Sequence, residues 1–116
     1  MSSQRHATVV GLGSVLPERI VSNEWFESFI ETRDEWIRER TGIRERHYAL
    51  DGQTTSDLAT DATQRALETA AIAPEQIDLL VCATLTGDTP IPSTAVWVQR
   101  KLGITAPAFD VNAACA

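Results

Sequence analysis

Ile77-Asp-Leu-Leu-Val-Cys-Ala-Thr84 is apolar without a break through its centre. Such a run reads as a strand in a sheet covered on both sides. Upstream, Ser56 to Ala71 carries Leu58, Ala59, Ala62, Ala66, Leu67 and Ala70 on one helical stripe, and Ala73-Pro74 breaks the pattern. A stripe made mostly of alanine lets that helix approach a neighbour closely. Downstream, Pro90 and Pro92 mark a loop. Ser93 caps a further helix that ends near Gly103, with Ala95, Val98 and Leu102 on one side. Ala108 to Val111 reads as a last strand. The alternation of strands and helices gives an α/β fold with a mostly parallel sheet flanked by helices.

The N-terminal stretch supplies the rest of that pattern. Ala7 to Leu12 reads as a first strand, buried on both faces, and Gly11, Gly13 and Pro17 punctuate the loop after it. Asn23 fits as the N-cap of a helix through Glu31, with Trp25, Phe26, Phe29 and Ile30 as its apolar face. Thr32-Arg-Asp-Glu35 matches a capping box for a helix from Arg33 to Arg40, closed by a left-handed Gly42. Ile43 to Ala49 reads as a short strand or extended segment, and Asp51-Gly52 as a turn.

The 116 residues suit one domain, 43% hydrophobic and 22% charged, an ordinary globular balance. No run of 18 or more apolar residues occurs, so no membrane-spanning helix is expected. The apolar stretch Ala7 to Val10 is too short for a secretory signal, which leaves a soluble cytoplasmic protein as the expectation. A net charge of −6 argues against nucleic acid as a partner. The cysteines, Cys82 and Cys115, lack the spacing of a metal site and the context of a disulfide framework, so no metal is expected.

Each cysteine is therefore read alone. Cys82 sits mid-strand among Leu80, Val81 and Ala83 and reads as core. Cys115 lies just beyond the strand Ala108 to Val111, where ligands sit in α/β folds. A helix following it would place the sulfur at a helix N-terminus, where free backbone N–H groups favour the thiolate and can hold an oxyanion. That arrangement suits an acyl-transfer nucleophile. The bland alternative is a buried cysteine acting as a small apolar residue. Ala113, Ala114 and Ala116 leave room for a thioester, although they also suit plain helix packing.

Several segments together resemble one family. Gly11-Leu-Gly-Ser-Val-Leu-Pro17, Thr32-Arg-Asp-Glu-Trp-Ile-Arg-Glu-Arg-Thr-Gly-Ile-Arg-Glu-Arg-His47, Ile77 to Thr84, Pro92-Ser93, Leu102-Gly103 and Phe109-Asp-Val-Asn-Ala-Ala-Cys-Ala116 follow in the order seen in β-ketoacyl-acyl-carrier-protein synthase III. The segment from Thr32 to His47 is the most specific of these. The resemblance implies the layered αβαβα fold of the thiolases. It also implies that residues 1–116 are an incomplete N-terminal domain ending just after the nucleophile, with the C-terminal half absent.

The activity so implied is acyl transfer from an acyl-CoA to Cys115, then decarboxylative Claisen condensation with malonyl-acyl carrier protein, which begins fatty-acid synthesis. Coenzyme A enters as a thioester substrate and no cofactor is implied. A homodimer is. Trp36 and Arg40 match residues that hold the adenine of CoA, and Thr32 matches a nearby contact. The spacing agrees: Trp36 and Arg40 are i, i+4 on one helix, so an indole and a guanidinium share a face that can grip a flat base. Ile91 matches a position, often phenylalanine, that reaches into the partner subunit's acyl pocket, and isoleucine there would alter the pocket floor. Arg33 replaces a usual serine. His6 and His47 do not match the family's catalytic histidine. An acidic carrier calls for a basic docking patch, and the basic residues cluster only at Arg38, Arg40, Arg44 and Arg46.

Two rivals remain: an acyltransferase or ketosynthase of polyketide or other secondary metabolism on the same fold, and a non-catalytic fragment or interaction module. An isolated chain is expected to expose apolar edges, to aggregate and to be inactive in condensation.

Overall fold

The structure, a computed structural model, describes residues 6–114. The chain divides into two compact units, one spanning Leu16–Gln53 and the other combining the residues up to Val15 with those from Thr54 onward.

In the unit Leu16–Gln53, β1 (Arg19–Ser22) leads into α1 (Asn23–Glu27), α2 (Asp34–Thr41) and β2 (Glu45–Tyr48). The two strands pair antiparallel, Arg19 opposite Tyr48 and Ser22 opposite Glu45. Val21 and Ile37 are its buried apolar residues. β1 has only four residues and one buried side chain, too little for a readable alternation. β2 lies inside the expected segment Ile43 to Ala49.

The first helix departs from expectation at both ends. Its N-cap is Ser22, and Asn23 is a fully buried helical residue whose amide reaches across the unit. The helix stops at Glu27 rather than Glu31. Ser28 Oγ donates to the carbonyl of Trp25 at 2.7 Å, a local bond that competes with the helical ladder. Trp25 packs edge-on against Phe26 and Phe29, with ring centroids 4.9 and 4.6 Å apart.

α2 also starts later than the capping box implies. Arg33 is its N-cap, no side chain caps from that position, and Thr32 lies outside the helix. The N–H of Asp34 is taken instead by Glu27 Oε1 at 2.8 Å. The far end is as expected: Gly42 adopts φ 73° and its N–H donates to the carbonyl of Arg38 at 2.8 Å. Asp34 and Glu35 in the first turn and Arg38 and Arg40 in the last complement the helix dipole.

In the other unit, α3 (Thr55–Ala70) is followed by a 3₁₀ turn (Pro74–Gln76), β3 (Leu80–Ala83), α4 (Thr94–Leu102) and β4 (Ala108–Val111). β3 and β4 pair in parallel, Leu80 opposite Ala108 and Ala83 opposite Val111. Leu80, Ile104 and Ala106 form the buried core with Ala95 and Val98 of α4. A true capping box opens α3. Thr54 Oγ1 accepts from the N–H of Asp57, and Asp57 Oδ2 accepts from the N–H of Thr54 at 2.8 Å. The Thr54–Asp57 spacing carried that signal in the sequence. Lys101 Nζ donates to Asp57 Oδ1 at 2.6 Å, and this contact, with the Thr54 bonds, holds the Asp57 pKa down at about 2.

One expectation fails here, and one face of the sheet is bare within these residues. Ala7 to Leu12 is not a strand, and Val9, Val10 and Leu12 are exposed. Val81, Phe109 and Val111, on the outer face of the β3–β4 pair, are exposed too, so among the described residues that sheet is covered on one face only. Among the described residues no further strand or helix lies against either surface. The segment before Val15 is held against α3 instead. A Cβ at Gly11 or Gly13 would overlap backbone atoms of Ala66 or Ala62, so only glycine fits. Arg65 Nη1 adds a hydrogen bond to the Ser14 carbonyl at 2.7 Å. The alanine stripe of α3 does admit a close neighbour, and that neighbour is the Gly11–Gly13 backbone.

Candidate functional site

α2 presents one face to solvent. Trp36 is 56% exposed, so it lies outside the core of this unit. The Arg40 guanidinium lies 5.8 Å from the indole centroid, as i, i+4 spacing requires. Arg40 makes no ion pair among the described residues. Beside the indole, Glu31, Thr32, Arg33, Glu35, Trp36 and Glu39 line an open concavity of about 500 Å³.

Thr32 changes meaning in the structure. Capping would have explained its hydroxyl fully, yet it caps nothing. Thr32 Oγ1 is a buried oxygen without a hydrogen-bond partner, at the rim of the concavity that Trp36 walls. Buried polar atoms are nearly always partnered, so this hydroxyl is one that water or a ligand could bond. The carboxylates of Glu31, Glu35 and Glu39 give the concavity a mainly acidic lining, with Arg33 as its cation.

The remaining expected site residues belong to the other unit. Ile91 is 88% exposed in the loop before α4. Cys82 is half-buried against the core of that unit, as expected. Burial pushes its thiol pKa up, and the nearby carboxylates of Asp110 and Asp88 add to the effect, so it stays a protonated thiol. Cys115 lies outside the described residues. The chain approaching it is described: beyond β4, Ala114 takes φ 30°, a backbone conformation that residues with a Cβ avoid at a cost of about 1–3 kcal/mol.

Asp110 has no counterpart among the expected site residues. From β4 its carboxylate accepts the N–H of Thr94 at 2.7 Å through Oδ2 and that of Ala95 at 2.7 Å through Oδ1. It thus caps α4 from a neighbouring strand, while Ser93, the N-cap residue, offers no side-chain bond. No spacing rule reaches across the turn between them.

A thiolase-type condensing-enzyme fold accounts for this arrangement of elements. A 3-oxoacyl-acyl-carrier-protein synthase III from Aquifex aeolicus superposes with a TM-score of 0.85 at 42% identity, over 90% of this chain and 34% of that one. The priming β-ketosynthase of the R1128 polyketide pathway superposes with a TM-score of 0.86 at 40% identity, over 90% of this chain and 32% of that one. In sequence, the β-ketoacyl-acyl-carrier-protein synthase III of Ruegeria pomeroyi is 55% identical over 111 residues, 95% of this chain and 34% of that protein. No family model matches the chain. Over these residues the chain is similar to the β-ketoacyl-acyl-carrier-protein synthase III enzymes, and it spans about a third of the length of the curated relatives it matches. No helix among the described residues is long and apolar enough to cross a membrane.

Proposed function

We propose that residues 1–116 are the N-terminal part of a β-ketoacyl-acyl-carrier-protein synthase III, and that the whole enzyme joins an acyl-CoA to malonyl-acyl carrier protein. The Cys115 thiolate attacks the acyl-CoA thioester, CoA leaves as its thiol, and an acyl-enzyme remains. Malonyl-acyl carrier protein then loses carbon dioxide, and the resulting carbanion attacks the enzyme thioester. A β-ketoacyl-carrier protein leaves and the cysteine thiolate returns. The reaction consumes no redox equivalent and needs no cofactor. Trp36 and Arg40 grip the adenine, and the Thr32 hydroxyl supplies a hydrogen bond to the same nucleotide. Ile91 shapes the acyl pocket of a partner subunit in a homodimer that works in the cytoplasm. The catalytic histidine and asparagine belong to the C-terminal part of the enzyme.

The observation that carries this reading is the half-exposed indole of Trp36 under the Arg40 guanidinium, beside the unpartnered Thr32 hydroxyl, in a chain 55% identical to a named synthase. In the whole synthase, Trp36→Ala should raise the KM for acyl-CoA roughly tenfold, as loss of an aromatic stacking and cation–π partner implies. kcat should fall by less than about threefold, because the indole does not touch the reacting carbonyl. Steady-state kinetics with acyl-CoA as the varied substrate reads both, and an unchanged KM returns Trp36 to a structural role.

A second reading changes the pathway and keeps the chemistry. Similarity to the R1128 priming ketosynthase and isoleucine at position 91 favour a synthase that primes secondary-metabolite assembly with acyl groups larger than acetyl. Rates across a series of acyl-CoA chain lengths separate the two.

A further inference from the structure

Asn23 is fully buried, and its side chain has more long-range partners than a helix residue requires. Nδ2 donates to Asp34 Oδ1 at 2.8 Å and to the carbonyl of Ile43 at 2.7 Å. Oδ1 accepts from Arg46 Nη1 at 2.6 Å. Asp34 is the first residue of α2, and Ile43 follows the Gly42 that ends it. One amide therefore holds both ends of the helix that carries Trp36 and Arg40. Arg46 anchors that amide in turn: it lies on β2 opposite Val21, and its guanidinium sits 4.4 Å from the Phe26 ring centroid. The bond from Asn23 is also the main reason the Asp34 pKa lies below its ordinary range, with Arg38 contributing and burial opposing.

We propose that Asn23 is a positioning residue for recognition of the nucleotide end of the acyl donor, acting by fixing α2 at both ends. The proposal rests on the reading of Trp36 and Arg40 as the CoA grip. An asparagine is suited to this task because it presents two donors and an acceptor from one rigid planar group. Its loss leaves a carboxylate, a carbonyl and a guanidinium without their buried partner, and each relaxes by moving the helix end it belongs to. An i, i+4 pair grips a flat ring only while its helix keeps its place, so a shift of α2 weakens nucleotide binding before it touches the chemistry.

The test uses the whole synthase with two acyl donors, acyl-CoA and the N-acetylcysteamine thioester of the same acyl group, which has no nucleotide. Asn23→Ser should raise the KM for acyl-CoA about tenfold or more and leave kcat/KM for the short thioester within about twofold of wild type. A purely structural role lowers both donors together, and that result overturns the proposal. Asn23→Asp sets a carboxylate against Asp34 and should behave as badly or worse. Asp34→Ala removes one end of the tether while leaving Asn23 bonded to Ile43 and Arg46, and should raise the KM for acyl-CoA by a smaller factor while sparing the short thioester. If the serine variant does not fold, Asp34→Ala decides the matter: an unchanged KM for acyl-CoA, an equal loss toward both donors, or failure of this variant to fold overturns the proposal. The Trp36→Ala variant distinguishes the two levels. If it weakens acyl-CoA while Asn23→Ser does not, the positioning role falls and the CoA reading stands. If neither variant does, the CoA reading falls first.

Discussion

Cys115→Ala should abolish covalent acylation of the whole synthase. Incubated with radiolabelled acyl-CoA and isolated on a denaturing gel, the wild type should carry about one acyl group per subunit, and the variant none. Overall condensation should fall by at least about a thousandfold, the scale of losing the group that forms the covalent intermediate. The second cysteine makes the experiment sharp. Cys82 lies on β3 against the core, half-buried, with its pKa raised by burial and by Asp110 and Asp88, so it does not compete as a thiolate. Cys82→Ala should therefore keep the full label. Label retained on Cys115→Ala would remove Cys115 from the reaction, and label lost from a folded Cys82→Ala would show that Cys82 is no bystander.

The sequence was most legible where one local rule decides the outcome. Gly42 and Gly103 close α2 and α4 in the left-handed conformation that glycine tolerates. The apolar spacing of Ala95, Val98 and Leu102 puts the first two in the core and packs the third against it. Ala108 to Val111 is the strand expected. The i, i+4 relation of Trp36 and Arg40 survives as a shared exposed face. Expectation failed where a distant group overrode the local signal. Thr32 has the sequence of a cap, but Glu27 reaches the N–H of Asp34 and releases the threonine hydroxyl. Asn23 has the chemistry of a cap, yet Asp34, Ile43 and Arg46 draw its amide inward. Ala7 to Leu12 has strand composition, but among the described residues it meets α3 and no strand edge. In each case the sequence showed a group able to bond and left open which partner would arrive.

Asp110 is the clearest instance, and replacing it carries the largest stability effect expected from these residues. Its carboxylate takes two N–H groups at the start of α4, each at 2.7 Å, where the helix dipole favours negative charge. Asp110→Ala leaves both donors bare beside the fully buried Thr94 and Ala95, and should destabilise the synthase by about 2–4 kcal/mol. Asp110→Asn keeps one acceptor oxygen but turns an amide N–H₂ toward the second donor, and should lose roughly half as much. Ser93→Ala is the contrasting case. Serine at an N-cap normally contributes about 1 kcal/mol, but this one makes no side-chain bond, so its loss should stay below about 0.5 kcal/mol. Chemical denaturation of the three variants orders them, and a Ser93→Ala loss as large as that of Asp110→Ala would show that α4 is capped locally after all. The same carboxylate ties β4 to α4 five residues before Cys115. Loosening it should also slow acylation under conditions where the variant is still folded, because the strand that delivers the sulfur loses its lateral anchor. A destabilised Asp110→Ala enzyme with an undiminished acylation rate would confine Asp110 to holding the fold together.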